Sequence, residues 1–143
     1  MVEIGNDSIS KLAHERALIH KEKLEILTYK PHPKDRSLLE IQIDRCQRLI
    51  TLGKRSIQIA KELIAWLSQH TPDSDELVLL TVELRLEKAE HKAYEAALEF
   101  QLGENTKTNA TIATQNYKTW QKIRSIVVSD YQNKKNPDRL AKK

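Results

Sequence analysis

Nine residues of this chain, Leu39, Ile43, Cys46, Ile50, Gly53, Ile57, Ala60, Ile64 and Leu67, follow one another at strictly alternating steps of four and three. An α-helix with 3.6 residues per turn turns that spacing into one apolar stripe, and four heptads of it suit a long helix packed lengthwise on another. The stripe therefore predicts a continuous helix over about 35–69. Gly53 at its centre costs about 1 kcal/mol relative to alanine, which four heptads of buried isoleucine and leucine can absorb. One row of the stripe is isoleucine throughout, and the other is small at its centre (Cys46, Gly53, Ala60). Small residues there let a partner helix come close.

The partner follows directly. Leu79, Val82, Leu86, Ala89, Ala93, Ala96 and Phe100 form a second stripe on a helix predicted over about 74–102. The break between them, Thr71-Pro72-Asp73-Ser74, is too short to do anything but reverse the chain. Folding about it puts Gly53 opposite residues 91–93 and Cys46 near Phe100. Pro31-His32-Pro33 ends an earlier helix over about 8–28. That helix has one row of Ala13, Ala17, His20, Leu24 and Leu27 and a second of Leu12, Ile19 and Ile26. Gly103 closes the third helix as a residue past its end, and Thr106 or Thr108 caps a fourth over about 108–132. The fourth has Ala113, Tyr117, Trp120, Ile123, Val127 and Tyr131 on one face. With three glycines and four prolines the chain lacks the turns that a sheet fold needs. The expected fold is all-α: an up-down four-helix bundle with a long antiparallel coiled-coil-like hairpin. It forms one domain over 1–133, followed by a basic, flexible tail over 134–143.

Apolar residues remain after the seams are assigned. Leu52, Ile59, Leu63 and Trp66 on the second helix and Leu77, Leu80 and Leu84 on the third lie outside the first stripe. They either bury under the first and fourth helices or form an interface with another chain, since large exposed apolar patches are rare on a lone protein.

Charge is unevenly spread: net −1 over residues 1–29, +4 over 30–70, −6 over 71–104 and +7 over 105–143. Part of this pattern reads as pairing between neighbouring helices. The basic surplus falls on Arg48, Lys54, Arg55 and Lys61 of the second helix and on Lys118, Lys122 and Arg124 of the fourth. The tail adds Lys134, Lys135, Arg139, Lys142 and Lys143. Such surfaces hold phosphate backbones through charge and counterion release. They point to an RNA or DNA backbone as partner, without a motif for reading sequence.

Several chemistries are excluded by residue type. No histidine has an acid three residues before it, as bundle-core di-iron sites require. One cysteine cannot build a structural zinc site. There is no glycine-rich phosphate loop and no nucleophile elbow. No metal and no cofactor is expected. Glu22/Glu25 and Glu87/Glu90 are Glu-x-x-Glu pairs of the kind that bind magnesium in helical nucleotide pyrophosphatases, though no matching Glu-x-x-Asp follows. Arg85 and His91 stand at the Arg-x5-His spacing found in HEPN-type RNases, and the stretch resembles that motif in spacing alone. Leu86 stands where a polar residue commonly follows the arginine. Six residues along a helix also point the two side chains well apart.

The most apolar run, residues 77–82, is far too short to cross a membrane. The first seven residues lack the apolar segment of a secretion signal, and the single cysteine cannot form an internal disulfide. Both point to a cytoplasmic or nucleoplasmic location. The leading expectation is a non-enzymatic helical assembly protein, a homo-oligomer or a subunit of a larger complex, with its basic faces toward nucleic acid. The alternatives are a HEPN-like dimeric RNase or toxin using Arg85 and His91, and a pure protein–protein adaptor.

Overall fold

The structure is a computed structural model that describes residues 6–30, 37–104 and 106–135. It holds four helices: α1 (Asn6–Thr28), α2 (Leu38–His70), α3 (Asp75–Gln101) and α4 (Lys107–Lys135). No strand occurs among the described residues. Side-chain oxygens start the later helices: Ser37 accepts from the Glu40 amide, Ser74 from the Leu77 amide and Thr106 from the Asn109 amide. Such caps satisfy donors that the first turn leaves open. At the end of α3, Gly103 adopts φ 77°, its amide donates to Phe100 and the Glu104 amide donates to Glu99. That is a Schellman ending, where glycine takes the left-handed conformation without a Cβ clash. α4 runs three residues further than its apolar pattern suggested. Lys134 and Lys135 therefore belong to the helix rather than to a tail, and residues 136–143 lie outside the described residues.

Paired side chains give the helix directions. Glu15 meets Arg55 and Tyr29 meets Arg45, so α1 and α2 are antiparallel. Gly53 meets His91 and Ser56 meets Glu87 across α2 and α3. Glu83 meets Arg124 and Arg85 meets Trp120 across α3 and α4. The fold is an up-down bundle in which consecutive helices pack on one another, and α2 crosses Gly53 without a break. Its perimeter is open. The backbones of α1 and α4 do not approach each other, and of the described helices only α3 lies against the α4 backbone.

The faces that meet differ from the expected stripes in an instructive way. On α1 it is Ile19 and Ile26 that are buried, with Ile9 and Leu12 packed beside them, while Leu24 of the other row is 60% exposed. Residues 9, 12, 16, 19, 23 and 26 make a heptad row that includes Arg16 and Lys23. Two cations interrupt the apolar pattern, so the row reads as weaker than its neighbour. On α3 the face toward α2 carries Leu80, Glu87 and His91. Ala89, expected in that seam, instead lines the groove toward α4. Leu39 and Phe100, also expected in the seam, are exposed at the end of the hairpin away from its loop.

The surplus apolar residues mostly go inward. Ile59 and Leu63 are buried, and Leu52 and Leu80 pack on them together with Ile9, Leu12 and Ile19. α1 thus covers the row within one chain. Trp66 is half-buried and stacks on His70 at 4.2 Å between ring centroids, while Leu77 and Leu84 are half-buried.

The α2–α3 approach at Gly53 is close. A Cβ built there would stand 3.0 Å from His91 Nδ1. Overpacking this site with Gly53→Leu should cost about 1–3 kcal/mol. Gly53→Ala should cost less, because about 1 kcal/mol of helix propensity offsets the squeeze. Denaturant unfolding of both variants checks the order, and a Gly53→Leu protein as stable as the parent would contradict the close crossing.

Candidate nucleic-acid interface

Two polar clusters stand out, and they do different things. The first is sealed inside the bundle. Glu87, 4% exposed, accepts a hydrogen bond from Ser56 at 2.5 Å, is paired with Arg16 and lies 3.3 Å from His20 Nε2. One turn on, Lys23 pairs with Glu90 at 2.7 Å. Arg16 and Lys23 are long enough to span from α1 to α3, whose backbones do not touch. Burial pushes the Glu87 carboxyl up, but hydrogen bonds from His20 and Ser56 and the Arg16 charge outweigh it and hold the group at about 2. Burial and neighbouring Glu90 push the Tyr94 phenol well up. Glu87 and Glu90 are thus taken up by cations of the same chain. Among the described residues no group of acids, histidines or cysteines is arranged to hold a metal ion.

The second cluster is open to solvent. A groove of about 520 Å³ runs between α3 and α4. Its α3 wall carries Arg85, Lys88 and Lys92, with Ala89 at its floor. Its α4 wall carries Asn109, Ile112, Ala113, Asn116 and Trp120. Arg85, Lys88 and Lys92 are all the basic residues between positions 71 and 104. They sit at i, i+3 and i+7, which is one helix face. Four acids of α3 are engaged by other side chains: Glu83 by Arg124, Glu87 and Glu90 by α1, and Glu95, which continues the cationic row past Lys92, by His91. Where it lines the groove, a helix that is acidic in sum thereby presents three cations and no carboxylate. The Arg85 guanidinium lies over the Trp120 ring, 5.5 Å from its centroid.

No family model, no curated protein and no solved structure matches this chain. The groove must be read from its own chemistry. A larger groove of about 740 Å³ between α1 and α2 is lined by Lys21, Arg45 and Arg48 but also by Glu22, Glu25 and Asp44. Its charges balance. The α3/α4 groove has no carboxylate among its lining residues, and is the one suited to an anion.

The basic residues singled out from the sequence are scattered. Arg55 is tied to Glu15, whose carboxyl that hydrogen bond holds below its ordinary value, and Arg124 is tied to Glu83. Arg48 lies in the charge-balanced groove. Lys54 and Lys61 are exposed on α2, and Lys118, Lys122 and Lys134 on α4. The backbones of α2 and α4 do not approach each other, so these residues make no single footprint. Lys118 and Lys122 also sit about 200° around α4 from Asn116 and Trp120. Arg85 and His91 part company too: Arg85 faces α4, whereas His91 is wedged against Gly53 of α2 and pairs with Glu95 at 3.0 Å.

Sequence reasoning missed Lys88, Lys92, Asn109 and Asn116, and gave Arg85 another role. The signal was present as three cations on one face of an acidic helix. Summing charge over the segment concealed it.

Proposed function

We propose that this protein is a non-enzymatic helical accessory protein that holds a nucleic-acid backbone in the α3/α4 groove. The observation that carries this reading is a groove lined by three cations of α3 and by no carboxylate. Ammonium and guanidinium groups are the usual partners of phosphate oxygens, and their gain comes largely from counterion release. The exposed lysines of α2 and α4 add a diffuse positive field that steers a polyanion toward the molecule. Exposed Leu24, Leu27, Ile112 and Ile126 suit a protein that works as one component of an assembly.

Fluorescence anisotropy with a labelled oligonucleotide at low salt tests the reading. Lys88→Ala should weaken binding equally for every sequence and lower the salt slope by about 1. Lys118→Ala, on the far side of α4, should do much less. Unchanged binding in a Lys88→Ala, Lys92→Ala variant would reject the groove, and no binding at low salt would leave a protein–protein adaptor.

A further inference from the structure

The groove contains more than charge. Trp120 is half-buried in its wall, and Asn109 and Asn116 stand exposed on the same side of α4. A duplex offers a narrow groove only its sugar-phosphate rim, because its bases are stacked and paired inside. An indole in such a groove adds nothing for that ligand. A single strand can turn its bases outward, and every base has a π face that stacks on an aromatic ring. Carboxamides carry both donors and acceptors, which suits the exposed edges of unpaired bases.

The spacing agrees. Arg85 to Lys92 spans seven residues, about 10 Å of helix axis. Three cations along that length can meet about three phosphates of one strand. Arg85 covers one face of the indole, so a base stacking there takes the place of the guanidinium, which then turns to a phosphate.

We infer that the α3/α4 groove takes single-stranded nucleic acid, with one unpaired base stacked on Trp120 and adjoining phosphates held by Arg85, Lys88 and Lys92. It rests on the phosphate-binding reading above and adds the strandedness and the base contact.

The test uses the full chain carrying Trp66→Phe, so that Trp120 is the sole tryptophan. Labelled oligo-dT, oligo-U and a hairpin duplex of equal length are titrated by anisotropy, with indole fluorescence recorded in parallel. Both single strands should bind at least tenfold tighter than the duplex and quench Trp120. Log affinity should fall with log salt at a slope of about −2, as three phosphate contacts on a single strand require. Trp120→Leu should weaken single-strand binding by about 5- to 150-fold, the range for losing one stacked base, with the salt slope retained. Trp120→Phe should keep most of the affinity, and Asn116→Ala, an exposed change, covers the case in which Trp120→Leu misfolds. A duplex bound as tightly as the single strands, or binding without quenching, would overturn the base contact. In that event dependence on Lys88 and Lys92 would still uphold phosphate binding. If neither ligand binds at low salt, both readings fall.

Discussion

Replacing Glu87 with alanine should lower the unfolding free energy by about 3–5 kcal/mol, the cost of breaking a buried ion pair by removing one partner. The carboxylate is 4% exposed and is the common acceptor for Arg16, Ser56 and His20, which come from two other helices. Its loss leaves the Arg16 charge and the Ser56 hydroxyl without the group that justified their burial. A domain of this size has about 5–15 kcal/mol in total, so the variant should sit near its unfolding threshold. Urea denaturation checks this, and a loss under about 1 kcal/mol would show that water replaces the carboxylate. Adding Arg16→Met to Glu87→Leu should recover much of the loss, because an apolar pair of similar volume avoids the desolvation penalty.

The same carboxylate sets an acid limb. Its folded value is depressed from 4.5 to about 2, so between these values the unfolded chain binds more protons than the folded one. Stability therefore rises with pH across that window. The contribution, about 3 kcal/mol from the size of the shift, is present in full above pH 4.5 and disappears as pH falls toward 2. Glu87→Gln should flatten the unfolding profile there and leave its slope between pH 6 and 8 unchanged.

Ile59→Ala should cost about 2–5 kcal/mol, the range for emptying a large aliphatic site that collapses only in part. Ile59 has no exposed surface and is enclosed by Leu63 of its own helix and by Ile19 of α1, with Ile9, Leu12, Leu52 and Leu80 around them. α1 and α2 would then close on a hole between two rigid helices. Ile126→Ala is the control: that side chain is 67% exposed and its truncation should stay within about 0.5 kcal/mol. Equal costs at both sites would mean that α1 does not cover Ile59.

Helix number, order, direction and most boundaries were legible because heptad spacing and capping residues are local signals. The α2 stripe predicted an unbroken helix through Gly53, and the short Thr71–Ser74 break predicted the His91 crossing; both are present. What periodicity could not rank was which row faces inward. Apolar pattern alone set Leu12, Ile19 and Ile26 of α1 beside Ala13, Ala17, His20, Leu24 and Leu27, and it left out Arg16 and Lys23. The acids on α3 decide for the row of Ile19 and Ile26, because they make those two cations good core residues once both helices are placed. Ser56 shows the same effect: it lies between the two apolar rows of α2 and is fully buried, because Glu87 accepts its hydrogen bond. Charge that is paired across helices is silent in a single-helix reading. The groove was hidden for the opposite reason, since paired acids cancelled its three cations in the sum for α3.

Of the described helices α4 rests on α3 alone, and none of its side chains described here is fully buried. The helix is held along one edge, as a door is by its frame. Anything gripping the α3 cations and the Trp120 wall together fastens that edge a second time. Occupancy and the docking of α4 would then be thermodynamically linked: a ligand at a hundred times its dissociation constant would add about 2.7 kcal/mol to the closed form.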